Sequence, residues 1–172
     1  MAPSSRLTAE RLKAWRLILE TYDAVIDLLE DELEKQQRLP LTWYDVLVQL
    51  SEAPRRRLRM VELADALLVS RSGLTRLVDG MEEAGLVRRH RSSSDRRVIN
   101  VELLPSGRER MRRAWPVLRR TLEEHFSRYL EEDEVRVLGS ALSKVVTAAR
   151  SARAAAGRST REAKATATTA TR

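Results

Sequence analysis

A mainly α-helical fold carrying one small β-hairpin is what this 172-residue sequence predicts, and three observations predict it. Long stretches place apolar residues at alternating three- and four-residue steps, the period of an amphipathic helix. In residues 98–103 the period changes to 2, with Ile99, Val101 and Leu103 alternating with Val98, Asn100 and Glu102, as in a half-buried strand. The chain has only 6 glycines and 5 prolines, too few to break up the helical stretches, and is long enough for one domain with extensions.

In chain order, Leu12, Trp15, Leu19, Tyr22, Ile26, Leu29 and Leu33 form a heptad seam, expected on a helix that packs lengthwise on other helices. Met60, Leu63, Ala64 and Leu67 mark a short amphipathic helix. After only Leu68 and Val69 a second one follows over residues 70–84, with Leu74, Leu77, Val78 and Met81 as its buried stripe. Ser70 is placed to cap it and Gly85 to stop it in a left-handed conformation. Its other face carries Ser72, Thr75, Arg76 and Asp79, with Ser70 and Arg71 at the start, short polar groups able to reach base edges and phosphates. Two short helices this close together suit a helix-turn-helix.

Residues 86–91 make a partner strand for 98–103, with a polar turn over 92–95. The hairpin carries Arg88, Arg89, Arg91, Arg96 and Arg97 against Asp95 at its tip. Such arginines suit a phosphate backbone or a narrow minor groove, although a basic hairpin alone also suits a solvated edge. Downstream, Met111, Trp115, Leu118, Leu122, Phe126 and Tyr129 form one helical stripe and Val135, Leu138, Leu142, Val145 and Ala149 another, with Pro116 expected to kink or restart the first. These flanking helices exceed what a small core needs for its own burial, which points to a homodimer, the alternative being a helical bundle within one chain. Beyond Arg150 the composition turns to Ala, Thr, Ser and Arg, and a disordered tail is expected. Its Arg153, Arg158, Arg161, Lys164 and Arg172 suit phosphates without sequence preference, or solubility alone.

The segment VSRSGLTRLVDGMEEAGLVRRHRSSSDRRVINVELLPSG, preceded by LTWYDVLVQL, resembles the DNA-binding core of the MarR family of bacterial transcriptional regulators, over roughly residues 10–150. The resemblance includes the Asp-Arg-Arg wing and the glycine after the second wing strand. Leu104 departs from it, standing where the family usually has a capping Thr; Ser106 with Glu109 is the expected substitute, a capping box. The resemblance implies a winged helix-turn-helix core flanked by long dimerisation helices. A homodimer on a pseudo-palindromic operator, acting as a repressor, follows from it. The expected DNA contacts are Ser70, Arg71, Ser72, Thr75, Arg76, Arg91, Asp95, Arg96 and Arg97, with Arg96 at the wing tip and Asp95 holding its neighbour. It also implies a small aromatic or phenolic effector between the dimer helices and the winged domain, lined by Trp15, Trp43, Tyr44, Asp45 and Arg76. The expected organisation is an N-terminal dimerisation helix over 1–40, the winged helix-turn-helix over 41–104, C-terminal dimerisation helices over 105–150 and the basic tail over 151–172.

The formal charge of +7 suits double-stranded DNA as partner, without separating it from other polyanions. With no cysteine there is no disulfide framework, thiol switch or Cys-ligated zinc. His90 and His125 stand on separate elements without metal-ligand or triad spacing, and neither a phosphate loop nor a GxSxG elbow occurs, so no enzyme, metal or cofactor is expected. No apolar run reaches membrane-spanning length, and a cytoplasmic location is the plain expectation. The rival readings are a DNA binder of architectural or virulence type that needs no ligand, and a helical protein-interaction module.

Overall fold

The structure, a computed structural model, describes residues 6–67, 69–91 and 98–169. It divides into two compact units, one ending at Ser127 and one beginning at Arg128. In the first unit the order is α1 (Ala9–Gln37), α2 (Leu41–Glu52), a 3₁₀ turn (Pro54–Arg56), β1 (Arg57–Arg59), α3 (Met60–Leu67), α4 (Arg71–Glu83), β2 (Val87–Arg91), β3 (Ile99–Leu103) and α5 (Pro105–His125). The second holds a 3₁₀ turn (Ser127–Tyr129, shared at its start with the first) and α6 (Glu132–Thr169).

Two apolar clusters build the first unit, and α2 serves both. On one side Val46, Leu47 and Leu50 pack with Leu63 of α3, with Leu74, Val78 and Met81 of α4, and with Val87, Val101 and Leu103 of the sheet. On the other, Leu41 and Tyr44 pack with Leu29 and Leu33 of α1 and with Ala114, Val117 and Leu118 of α5. Trp43 and Met111 touch both clusters. Residues such as Leu47 and Leu74 are fully buried, and trimming one to Ala costs about 2–5 kcal/mol.

The strands pair antiparallel in the order β1-β3-β2. β1 is a strand beyond the expected hairpin; Arg-Leu-Arg is too short to reveal an alternation. It follows a turn in which Arg55 (φ 57°) and Arg56 (φ 54°) are both left-handed. α1 ends at the left-handed Arg38, and Arg110 of α5 donates to the carbonyls of Gln37 and Arg38, satisfying groups that a helix end leaves without partners.

Three expectations need correction. The seam from Leu12 to Leu33 is split: Leu29 and Leu33 are buried in the chain's own core, while Trp15, Leu19 and Tyr22 are exposed. The capping box at Ser106 and Glu109 does not form. Pro105 occupies the first turn, where its missing N–H costs nothing, the Ser106 hydroxyl donates to the Gly85 carbonyl at 2.5 Å, and Glu109 is taken by Arg112 and Arg113. α5 runs through Pro116 without a restart, held on both sides of it by buried Ala114, Val117 and Leu118. α6 continues to Thr169, through the alanine-rich segment, whose composition has high helix propensity. Of the tail cations, Arg153 is exposed, and the side chains of Arg158, Arg161, Lys164 and Arg172 lie outside the described residues.

Candidate nucleic-acid interface

α4 is positioned by its ends and its buried stripe. The Ser70 hydroxyl accepts from the Gly73 N–H at 3.0 Å and shares a hydrogen bond with Ser72, a cap contributing about 1 kcal/mol. Gly85, at φ 67°, ends the segment in the left-handed region that favours glycine. With Leu74, Val78 and Met81 inward, Arg71, Ser72, Thr75 and Arg76 are exposed together on the first two turns. The Thr75 hydroxyl donates to the Arg71 carbonyl at 2.9 Å, leaving its lone pairs outward as acceptors. Trp43 of α2 lies against α4 at Gly80, where an added Cβ would stand 3.0 Å from the indole Cζ2.

The sheet sorts its arginines by face. Val87 and Arg89 share the face turned to the core, and Arg88 and His90 the other. On the outer face Glu102 stands in register with Arg57 of β1 and Arg88 of β2. Its carboxylate lies 3.4 Å and 3.3 Å from those guanidinium groups and 3.9 Å from His90. The hydrogen bond from Arg88, with the charges of Arg57, Arg88 and His90, holds the Glu102 carboxyl below the usual range. On the inner face Arg89 lies 2.5 Å from Asp79 and 3.5 Å from Glu82, and donates to the Thr75 carbonyl at 2.9 Å. Arg88 and Arg89 are therefore committed to carboxylates of the fold rather than laid out for phosphates. Arg91 at the end of β2 is exposed. Asp95, Arg96 and Arg97 lie outside the described residues.

Sequence reasoning missed Asp79, Glu82 and Glu102 as partners of the wing arginines. The parity of Val87 and Arg89 was the available signal: a buried Val two residues before an arginine turns that arginine toward the helix beneath. The five residues assigned to an effector are spread differently. Tyr44 is buried, which raises its hydroxyl pKa; Trp43 is half-buried between the two clusters; Trp15 is exposed on α1. The Asp45 carboxyl is raised by desolvation and by Glu30, and among the described residues no ion pair joins it to Arg76. His125, near Glu124 at 3.9 Å, is exposed. Among the described residues there is no cluster of three metal-ligating side chains, and no helix is long and apolar enough to cross a membrane.

Residues 39–98 match the family profile described as MarR family. A MarR family transcriptional regulator of Streptomyces coelicolor, Sco3205, solved in complex with DNA, is 34% identical with a TM-score of 0.74, the match covering 82% of this chain and 92% of that one. AbsC, a MarR family transcriptional regulator of the same organism, is 34% identical with a TM-score of 0.75, over 86% of this chain and 99% of that one. The transcriptional repressor MprA of Escherichia coli is 30% identical over 102 residues, 58% of each chain. The match thus spans a little over half the length of that curated relative. With the helix-turn-helix and the two described wing strands, β2 and β3, the chain belongs to the MarR family, whose members are transcriptional regulators and not enzymes.

Proposed function

We propose that the chain binds double-stranded DNA as a homodimer and represses transcription from a pseudo-palindromic operator, each α4 entering a major groove. The observation that carries this reading is the exposed row Arg71, Ser72, Thr75 and Arg76 on a helix whose other face is fixed in the core. Ser70 keeps its cap, and Arg91 with the wing residues Asp95, Arg96 and Arg97 supplies the neighbouring contacts. The DNA complex of Sco3205 supports the same use of the fold. The exposed Trp15, Leu19 and Tyr22 on α1 support a second copy as partner.

The test begins with selection of duplexes from a random pool by the full-length protein. Gel shifts on the selected duplex then compare Arg71→Ala and Arg76→Ala with the parent. Each change is expected to weaken binding by about 10- to 100-fold, and equal affinity would remove α4 from the interface. The reading extends to release by a small aromatic or phenolic acid, which calorimetric titration followed by gel shifts tests. Binding below millimolar concentration with loss of operator affinity supports release. A panel with no such ligand leaves a DNA binder without an effector, the reading that the burial of Tyr44 and the packing of Trp43 favour.

A further inference from the structure

Arg89 bears on how the two DNA-facing parts of the fold are held to each other. Its guanidinium is a two-pronged fork aimed into α4: Nη1 lies 2.5 Å from Asp79 Oδ1 and 3.5 Å from Glu82 Oε2, and Nη2 donates to the Thr75 carbonyl at 2.9 Å. The Arg89 backbone N–H donates to Glu82 Oε1 at 2.7 Å, so main chain and side chain grip the same helix. The side chain is 23% exposed, against 62% for Arg88 beside it, and reaching a phosphate would break the guanidinium's bonds to Asp79, Glu82 and the Thr75 carbonyl. The carbonyl it holds belongs to Thr75, and its carboxylate partner lies one helical turn further on, so the grip falls at the turn that presents Thr75 and Arg76.

The far side of α4 is held differently. There Trp43 meets Gly80, an apolar contact that packs α2 against α4 without a directional bond. A planar fork bonded in two directions adds a directional tie between β2 and α4, and an ammonium group cannot replace it. β2 continues into the wing, so whatever holds β2 to α4 sets the spacing between the major-groove and minor-groove contacts. Wing and helix have to meet one duplex together for both to count, and a small change in their angle separates them.

We propose that Arg89 is a positioning residue for operator recognition, setting the wing and the recognition helix in one register through Asp79 and the Thr75 carbonyl without touching DNA. The inference rests on the DNA-binding reading above. The experiment uses the full chain, the duplex it selects from a random pool, and the variants Arg89→Gln, Arg89→Lys, Asp79→Asn and the double Arg89→Gln/Asp79→Asn. Affinity for selected and random duplexes is measured across a salt series, each variant being checked for its melting temperature.

Arg89→Gln is expected to lose about 10-fold or more in affinity for the selected duplex, with little change on random DNA and the parental slope of log affinity against log salt. Arg89→Lys should not recover the loss, and the double variant should bind no worse than Arg89→Gln, because the two residues act through one link. A slope shallower by about 0.9 per chain would make Arg89 a phosphate contact and overturn the proposal. Losses that add in the double variant, or parental affinity in any folded Arg89 variant, would overturn it as well. Should Arg89→Gln fail to fold, the folded Arg89→Lys decides by the same affinity and slope. If the parent selects no duplex at all, the DNA-binding reading fails and takes this inference with it; a parent that selects one, bound equally by the variants, refutes the role of Arg89 alone.

Discussion

Glu102 is one carboxylate in register with an arginine on each neighbouring strand, and its titration gives the wing sheet a pH signature. Its folded pKa is depressed below 4.5, chiefly by the Arg88 hydrogen bond, so its contribution is fully present above that ordinary value and is lost as pH falls through the folded one. Glu102→Gln should therefore destabilise the chain by about 1 kcal/mol at neutral pH, and the gap to the parent should close in melting curves taken below pH 4.5. A gap that stays constant with pH would show that packing, not charge, makes the difference. Asp45 has the opposite sign: desolvation and Glu30 raise its carboxyl above 3.8, so stability is lost as pH rises from that value through the folded one. Asp45→Asn should raise Tm at pH 7 and leave it unchanged at pH 3. Gly107 shows a steric limit, since a Cβ there would stand 2.2 Å from the Leu86 carbonyl oxygen and 2.8 Å from Leu103 Cδ1. Gly107→Ala should cost about 3 kcal/mol and lower Tm by about 10 °C; a parental Tm would mean that α5 can shift away freely. Local roles such as the Ser70 cap and the Gly85 stop were legible in the sequence, because each involves residues close along the chain. The partners of Arg88 and Arg89 were not, because Asp79 and Glu102 are ten and fourteen positions away and meet them only once the sheet has formed.

At the scale of elements, helix periodicity located the buried faces of α3 (Leu63, Ala64) and α4 (Leu74, Val78, Met81), but of the stripe drawn from Met111 to Tyr129 only Leu118 is buried, Trp115 is exposed, and Phe126 and Tyr129 lie beyond the end of α5. It could not say which partner a stripe meets. The heptad steps of α1 continue from Leu12 to Leu33, yet the C-terminal part packs on α2 and α5 of its own chain and the N-terminal part leaves Trp15, Leu19 and Tyr22 at 53%, 47% and 65% exposure. Charges at Ile26 and Leu29 would therefore strike the chain's own core as well as any shared seam. The better pair is Leu19→Glu with Tyr22→Glu, which should convert a dimer to a folded monomer, read by sedimentation at tens of micromolar protein, with Tm lowered through loss of association alone. A parent that sediments as a monomer at that concentration would contradict the dimer. α6 also presents apolar residues, Val135, Val137, Val145 and Val146, to solvent. β1 escaped sequence reading because three residues cannot display a period, and its place in the sheet depends on pairing with β3 across more than forty intervening positions.

At the scale of the whole molecule, composition suggested a polyanion as partner, but the distribution of charge matters more than the total of +7. Several arginines pair with the chain's own carboxylates Glu102, Asp79, Glu82 and Glu109, while Arg71, Arg76 and Arg91 are exposed around one helix and one strand end. That arrangement, paired across two copies, fits a duplex with two half-sites. The measurement that tests it most directly is hydroxyl-radical footprinting on the selected duplex, paired with its affinity relative to random DNA at physiological salt. Two protected half-sites about one helical turn apart are expected, with binding at least about 1,000-fold tighter than to random sequence. A single protected patch, or equal affinity for selected and random duplexes, would contradict it.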